Sequence, residues 1–155
     1  STLQIGALTG GNAALKWLQQ RFRSTISEHE RLNILAALGW FSDKRVIESA
    51  LQFALEEVPD RNKFIPITAA TANPHAVGHL WDWYLAHLSK LEAFHPLLYE
   101  RVIAAIVPTA GLDRPESVRA FFKTYVADHP QTRDVVRLAL EHLEINLRMR
   151  ECSSN

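Results

Sequence analysis

Nearly from end to end of this chain, apolar residues return every three or four positions, and no stretch alternates with period two for long enough to make a convincing strand. Such spacing gathers apolar side chains on one stripe of each helix, and that stripe must be buried against other helices. The chain is therefore expected to be all-α. The first clear helix follows Gly10-Gly11-Asn12, with Ala14, Leu15, Leu18 and Phe22 on its stripe. A second opens on a capping box, Ser27 with Glu30, in which each side chain answers the other's free backbone donor. Its buried set is predicted as Leu32, Leu35, Ala36 and Leu38, with Gly39 at its end. A third starts near Ser42-Asp43 and places Val46, Ile47, Ala50, Leu51, Ala54 and Leu55 on one face.

Beyond the break at Pro59-Asp60, a shorter helix is expected from Lys63 to Ala72, with Pro66 tolerated in its first turn. Asn73-Pro74 reads as a capping Asn followed by Pro at the first helical position. The helix it would launch carries Val77, Leu80, Trp81, Tyr84, Leu85 and Leu88. After His95-Pro96 comes a helix through Leu98, Val102, Ile103 and Ile106, which Pro108 and Gly111 should stop. Asp113-Arg114-Pro115-Glu116 is a further cap and entry, leading to Val118, Phe121, Phe122 and Tyr125. His129-Pro130 closes that helix, and the last should run from about Thr132 to Arg150. The sum is about eight helices of roughly a dozen residues with short connectors, the pattern of stacked antiparallel helix pairs. A two-helix period of roughly 40 residues falls in the range of HEAT and armadillo arrays. One HEAT/armadillo-like domain over residues 1–155 is expected, with no internal linker.

Composition narrows the partners. Lys plus Arg is 17 and Asp plus Glu is 17, so no global field draws the chain to nucleic acid or to an anionic bilayer. No apolar run approaches the roughly 20 residues that span a bilayer, and the first residues lack a basic segment followed by an apolar one. No membrane partner is expected. The one cysteine, Cys152, sits in a polar tail with no second thiol for a disulfide or a metal cage, which fits a reducing, cytoplasmic location. The only methionine is Met149, so the chain begins at Ser1 without an initiator. Processing, or a cut from something longer, is the expectation.

Few residues suggest chemistry. His75 and His79 would stand at i and i+4 on one helix face, the spacing of a helical zinc site, with Asp82 one turn on as a possible third ligand. A zinc peptidase helix, however, needs Glu directly after the first His as general base, and Ala76 stands there; two solvent-facing histidines are the simpler reading. No nucleophile motif or phosphate-cradling glycine loop appears, so no catalytic residue is assigned. In Trp81-Asp82-Trp83-Tyr84, Trp81 and Tyr84 share a face, while Trp83 points elsewhere, either under a neighbouring repeat or onto an exposed binding surface. The basic residues Arg101, Arg119, Lys123, Arg133 and Arg137 are interleaved with acids, as on a solvated face. Among them Arg101, Arg119, Arg133 and Arg137, together with Trp83, are the candidates to line a concave surface, where a guanidinium fork could hold a peptide carboxylate.

Four segments carry a family resemblance. They are Asn73-Pro74 followed by Trp81-Asp82-x-Tyr84, then Val118-x-x-Phe121-Phe122-Lys123, then Glu141-x-x-x-x-Asn146-x-x-Met149, and the stretch from Arg31 to Ile47 with Leu35, Ala37, Leu38 and Asp43-Lys44. From roughly Glu30 to Glu151 the chain resembles the C-terminal helical domain of the gluzincin zinc aminopeptidases, in the branch of the puromycin-sensitive, endoplasmic-reticulum and tricorn-interacting enzymes. Met149 stands where that family usually has Trp. The resemblance implies a non-catalytic C-terminal domain that encloses the active-site chamber and helps bind oligopeptides. It implies an upstream catalytic domain of the same polypeptide as partner, and zinc in that parent enzyme with no cofactor in this chain. Glu141 and Asn146 would then bond neighbouring backbone in a terminal cap, and Met149 would fill a slot built for a larger aromatic. The competing expectations are a stand-alone helical-repeat scaffold for protein partners and, third, a helical metal-binding protein using His75 and His79.

Overall fold

In the computed structural model, which describes residues 2–154, the periodicity is realised as nine α-helices, with no strand among the described residues. They fall into two compact units, one up to His79 and one from Leu80 onward.

The first unit holds α1 (Thr2–Ser24), α2 (Glu28–Ala37), α3 (Lys44–Glu57) and α4 (Phe64–Thr71). Gly10-Gly11 is not the lead-in to α1 but a joint within it: residues on both sides are helical, and Gly11 takes φ 57° and ψ −139°, a conformation that side chains disfavour. α2 packs against both α1 and α4, and this shifts its buried face. Ile34, Leu35, Ala37 and Leu38 are buried, whereas Leu32, expected inside, is exposed. Burying each of the larger side chains stabilises by about 1.5–3 kcal/mol. All six residues expected on the α3 stripe are buried, joined by Phe53, whose ring meets Phe22 edge-on at 5.8 Å.

Caps and one close approach hold the ends. Asp43 accepts from the backbone N–H of Arg45 and Val46 at 2.9 and 3.2 Å. Only half of the expected capping box forms: Ser27 Oγ accepts from Glu30 N at 3.2 Å, but the Glu30 carboxylate is taken by Arg21 and by Thr25 Oγ1. Gly39 lies where a Cβ would come within 2.6 Å of Ala70 N and 2.8 Å of Pro66 O, so its absent side chain lets the end of α2 touch α4. Asn73 does not launch an α-helix. Fully buried, it accepts from His75 N at 3.0 Å and donates to the carbonyls of Gly39 and Phe41 at 3.0 and 2.7 Å. A turn and a 3-10 segment, Val77–His79, follow it.

The second unit comprises α5 (Leu80–Ala86), α6 (Leu88–Glu92), α7 (Pro96–Ala110), α8 (Pro115–Asp128) and α9 (Arg133–Ser154). The helix expected through Leu88 is broken at His87, whose Nδ1–H donates to the Trp83 carbonyl at 2.9 Å, and Leu85 is exposed. Pro108 does not end α7. It lies inside the helix, where its missing N–H removes one i→i−4 bond, and the helix nevertheless continues to Ala110. The Pro108 carbonyl accepts from Asn146 Nδ2 of α9 at 2.9 Å, part of an extensive α7/α9 packing.

Candidate functional site

α8 and α9 run into one another through a single 3-10 turn, Pro130–Thr132, and between them lies a groove of about 450 Å³. Its floor is apolar: Phe122 and Val126 from α8, Val136 and Leu140 from α9. Arg119 and Lys123 stand along one wall, Arg133 and Arg137 along the other, each pair one helical turn apart. Two carboxylates, Glu141 and Glu144, complete the lining. Glu144 binds Arg119 at 2.6 Å and so ties the two walls together at that end. Arg137 has Asp134 at 3.8 Å, an exposed pair that holds it loosely.

Thus the fold brings together Arg119, Arg133 and Arg137 of the residues that the sequence singled out. Arg101 is on α7, outside this lining, with interactions of its own. Trp83 is on α5 and only 7% exposed; its indole stacks on the His87 ring at 5.0 Å, and its Nε1 is buried without a hydrogen-bond partner. The sequence reading passed over Lys123 and the four floor residues as a site. The available signal was the i, i+4 spacing of cations on two successive helices.

The α8 wall is fastened from behind by a buried chain of hydroxyls. Tyr125 Oη donates to Glu92 at 2.8 Å. Its single proton being spent there, it must accept from Tyr99, 2.7 Å away, and Tyr99 in turn must accept from Tyr84 at 2.6 Å. Four helices are therefore linked by one directional chain ending on a carboxylate. Glu92 also faces His129 Nε2 at 3.1 Å, and the His129 ring stacks on Tyr125 at 4.1 Å. Burial, reinforced by Tyr99, pushes the Tyr84 phenol far above its ordinary range. Burial also raises Tyr99, against the pull of its two hydroxyl partners. Tyr125 is raised by burial and then by its bonds to Tyr99 and Glu92. These hydroxyls are structural ties, not proton donors for chemistry. Around them Trp81, Phe121 and Phe122 form a cluster of edge-on and tilted rings with centroids 5.0–5.8 Å apart.

Other candidates are dispersed. His75 lies in the turn after Asn73 and His79 in the 3-10 segment, so the expected helical i, i+4 pair does not form. Asp82 is paired with Arg114 at 2.8 Å. Among the described residues no three His, Cys, Asp or Glu side chains gather as metal ligands, so the zinc implied for a parent enzyme finds no fitting donor set in them. Asn146 binds backbone as expected, whereas Met149 is 63% exposed and fills no slot: its position is on the outer face of α9. Glu141 is likewise exposed, on the rim of the groove. No helix among the described residues is long and apolar enough to cross a membrane.

The chain is similar to an alanine/arginine aminopeptidase of Saccharomyces cerevisiae, 23% identical over 125 residues, which is 77% of this chain and 15% of the yeast protein. It is similar also to a leucyl aminopeptidase of Saccharolobus solfataricus, 25% identical over 149 residues, covering 93% of this chain and 18% of that one. The chain therefore spans less than a fifth of the length of either relative. The family model described as the ERAP1-like C-terminal domain matches residues 1–145. With almost the whole of its length matched, the chain belongs to the ERAP1-like C-terminal domain family.

Proposed function

We propose that this chain is the non-catalytic C-terminal domain of a zinc-dependent aminopeptidase, that its helices form one HEAT-like stack helping to enclose the active-site chamber, and that it helps hold oligopeptide substrates there. The catalytic domain of the same polypeptide would be its partner and would carry the zinc. Membership of the family and the likeness to two aminopeptidases support the first part. The observation that carries the second is the α8/α9 groove, in which Arg119, Arg133 and Arg137 line an apolar floor. Guanidinium forks match carboxylates, and an apolar floor takes apolar side chains. That combination suits an enclosure that holds a peptide through both its charge and its apolar side chains. On this reading the chemistry belongs to the catalytic domain elsewhere in the polypeptide.

The test is direct. Purified chain incubated with zinc and fluorogenic amino-acid amides should release no fluorophore above a buffer control, while the same assay with the catalytic domain joined to it should. Zinc-dependent turnover by the isolated chain would remove the non-catalytic assignment.

A further inference from the structure

We infer that the α8/α9 groove selects an acidic amphipathic segment, a short helix carrying carboxylates one turn apart beside an apolar stripe; this rests on the reading that the groove is a peptide surface. Charge complementarity carries the inference. The whole chain is neutral, yet the groove holds four cations against two carboxylates. The excess is also uneven. Arg119 and Glu144 are paired with each other at one end, so the free positive charge lies toward the 3-10 turn, where Lys123, Arg133 and Arg137 stand. Asp134 is 3.8 Å from Arg137 and largely exposed to water, and Glu141 lines the groove one turn beyond Arg137, so the excess is greatest at Lys123 and Arg133.

The spacing favours a helix over an extended strand. Arg119 and Lys123 on one wall, and Arg133 and Arg137 on the other, repeat at about 6 Å, the rise of four helical residues. Carboxylates at i and i+4 of a docked helix repeat at the same interval. An extended segment presents same-side groups about 6.8 Å apart, two residues on, a match poorer by about 0.8 Å. Between the rails, Phe122, Val126, Val136 and Leu140 would receive the apolar stripe, as in other helix-in-groove contacts.

The experiment uses the chain itself and a fluorescein-labelled dodecapeptide with Leu at positions i, i+4 and i+7 and Glu beside them. The peptide is acetylated and amidated so that it has no terminal carboxylate. Fluorescence anisotropy should show saturable binding that weakens as salt is added, because exposed charges are screened over roughly 10 Å at 0.1 M. Replacing the Glu residues of the probe by Gln should cost several-fold and by Lys about tenfold, since each exposed pair is worth up to a few-fold. The triple variant K123E/R133E/R137E should invert the preference and bind the Lys probe, which also reports that it is folded. Equal binding of the Glu and Lys probes, no binding of either, or a triple variant that still prefers Glu would overturn the inference. If instead a neutral peptide with a free C-terminus bound in the groove and the capped acidic probe did not, acidic selection would fail while the peptide-surface reading stood.

Discussion

Up to His79 the polar ties sit on backbone ends and at the surface, whereas from Leu80 onward they run through the middle of an aromatic cluster. In the first unit Asp43, Ser27 and Asn73 satisfy helix ends and loop carbonyls, and the arginine pairs Arg21–Glu30 and Arg23–Glu57 lie in solvent. Its interior is mainly aliphatic, with Phe22, Phe41 and Phe53 buried but no hydroxyl network among them, and it is packed closely enough that Gly39 can carry no side chain. In the second, three tyrosines and Glu92 place a hydrogen-bonded chain among Trp81, Phe121 and Phe122. The difference teaches where each unit is vulnerable: the first to added volume, the second to a deleted hydroxyl. It also explains why the groove belongs to the second, because a wall fastened from behind by directional bonds can leave its front open.

The largest expected effect is on the first unit. Gly39→Ala puts a methyl against the Ala70 and Pro66 backbone, which cannot swing aside, and should cost about 3 kcal/mol in denaturant unfolding. A cost near zero would mean that α2 and α4 are not in the contact described. Next comes Tyr99→Phe, which leaves the Tyr84 hydroxyl without an acceptor and the Tyr125 oxygen without a donor; about 2 kcal/mol should be lost. A neutral substitution there would erase the contrast between the units. The third effect is absent at neutral pH. All three tyrosines of the chain are in this network, and all three phenols are raised. The native state therefore keeps protons that the unfolded chain releases above about pH 10, so stability should fall as pH rises through that range. In an alkaline titration tyrosinate absorbance should appear together with loss of helical circular dichroism, not before it.

How far the sequence reaches is clear from particular residues. All six residues expected on the α3 stripe are buried because that helix buries one continuous face, and only Phe53 falls outside the expected set. The α2 stripe was misjudged at Leu32 because α2 meets two neighbours and its buried arc turns accordingly. Pro108 and Asn73 carry strong local signals for a stop and a start, and tertiary partners overrode both: Asn146 takes the Pro108 carbonyl, and the Gly39 and Phe41 carbonyls take the Asn73 amide. Of the candidate site, the cations could be named one by one. Their convergence could not, since it depends on the register that sets Arg119 beside Glu144, 25 residues apart. The tyrosine chain left no periodic trace, because the positions of three hydroxyls on three helices, and of the Glu92 carboxylate on a fourth, are not encoded in apolar spacing.

The central claim is that this domain holds the peptide while another part of the polypeptide cuts it. The measurement that reaches it is the kinetics of the proposed parent aminopeptidase carrying R133E/R137E, assayed on a long acidic peptide and on an amino-acid amide too short to leave the catalytic centre. If the groove binds substrate uniformly, the variant should show a KM for the peptide raised by about five- to tenfold, an unchanged kcat, and both constants for the amide unchanged. Equal KM values for wild type and variant on the long peptide, or a fall in kcat on the amide, would contradict it.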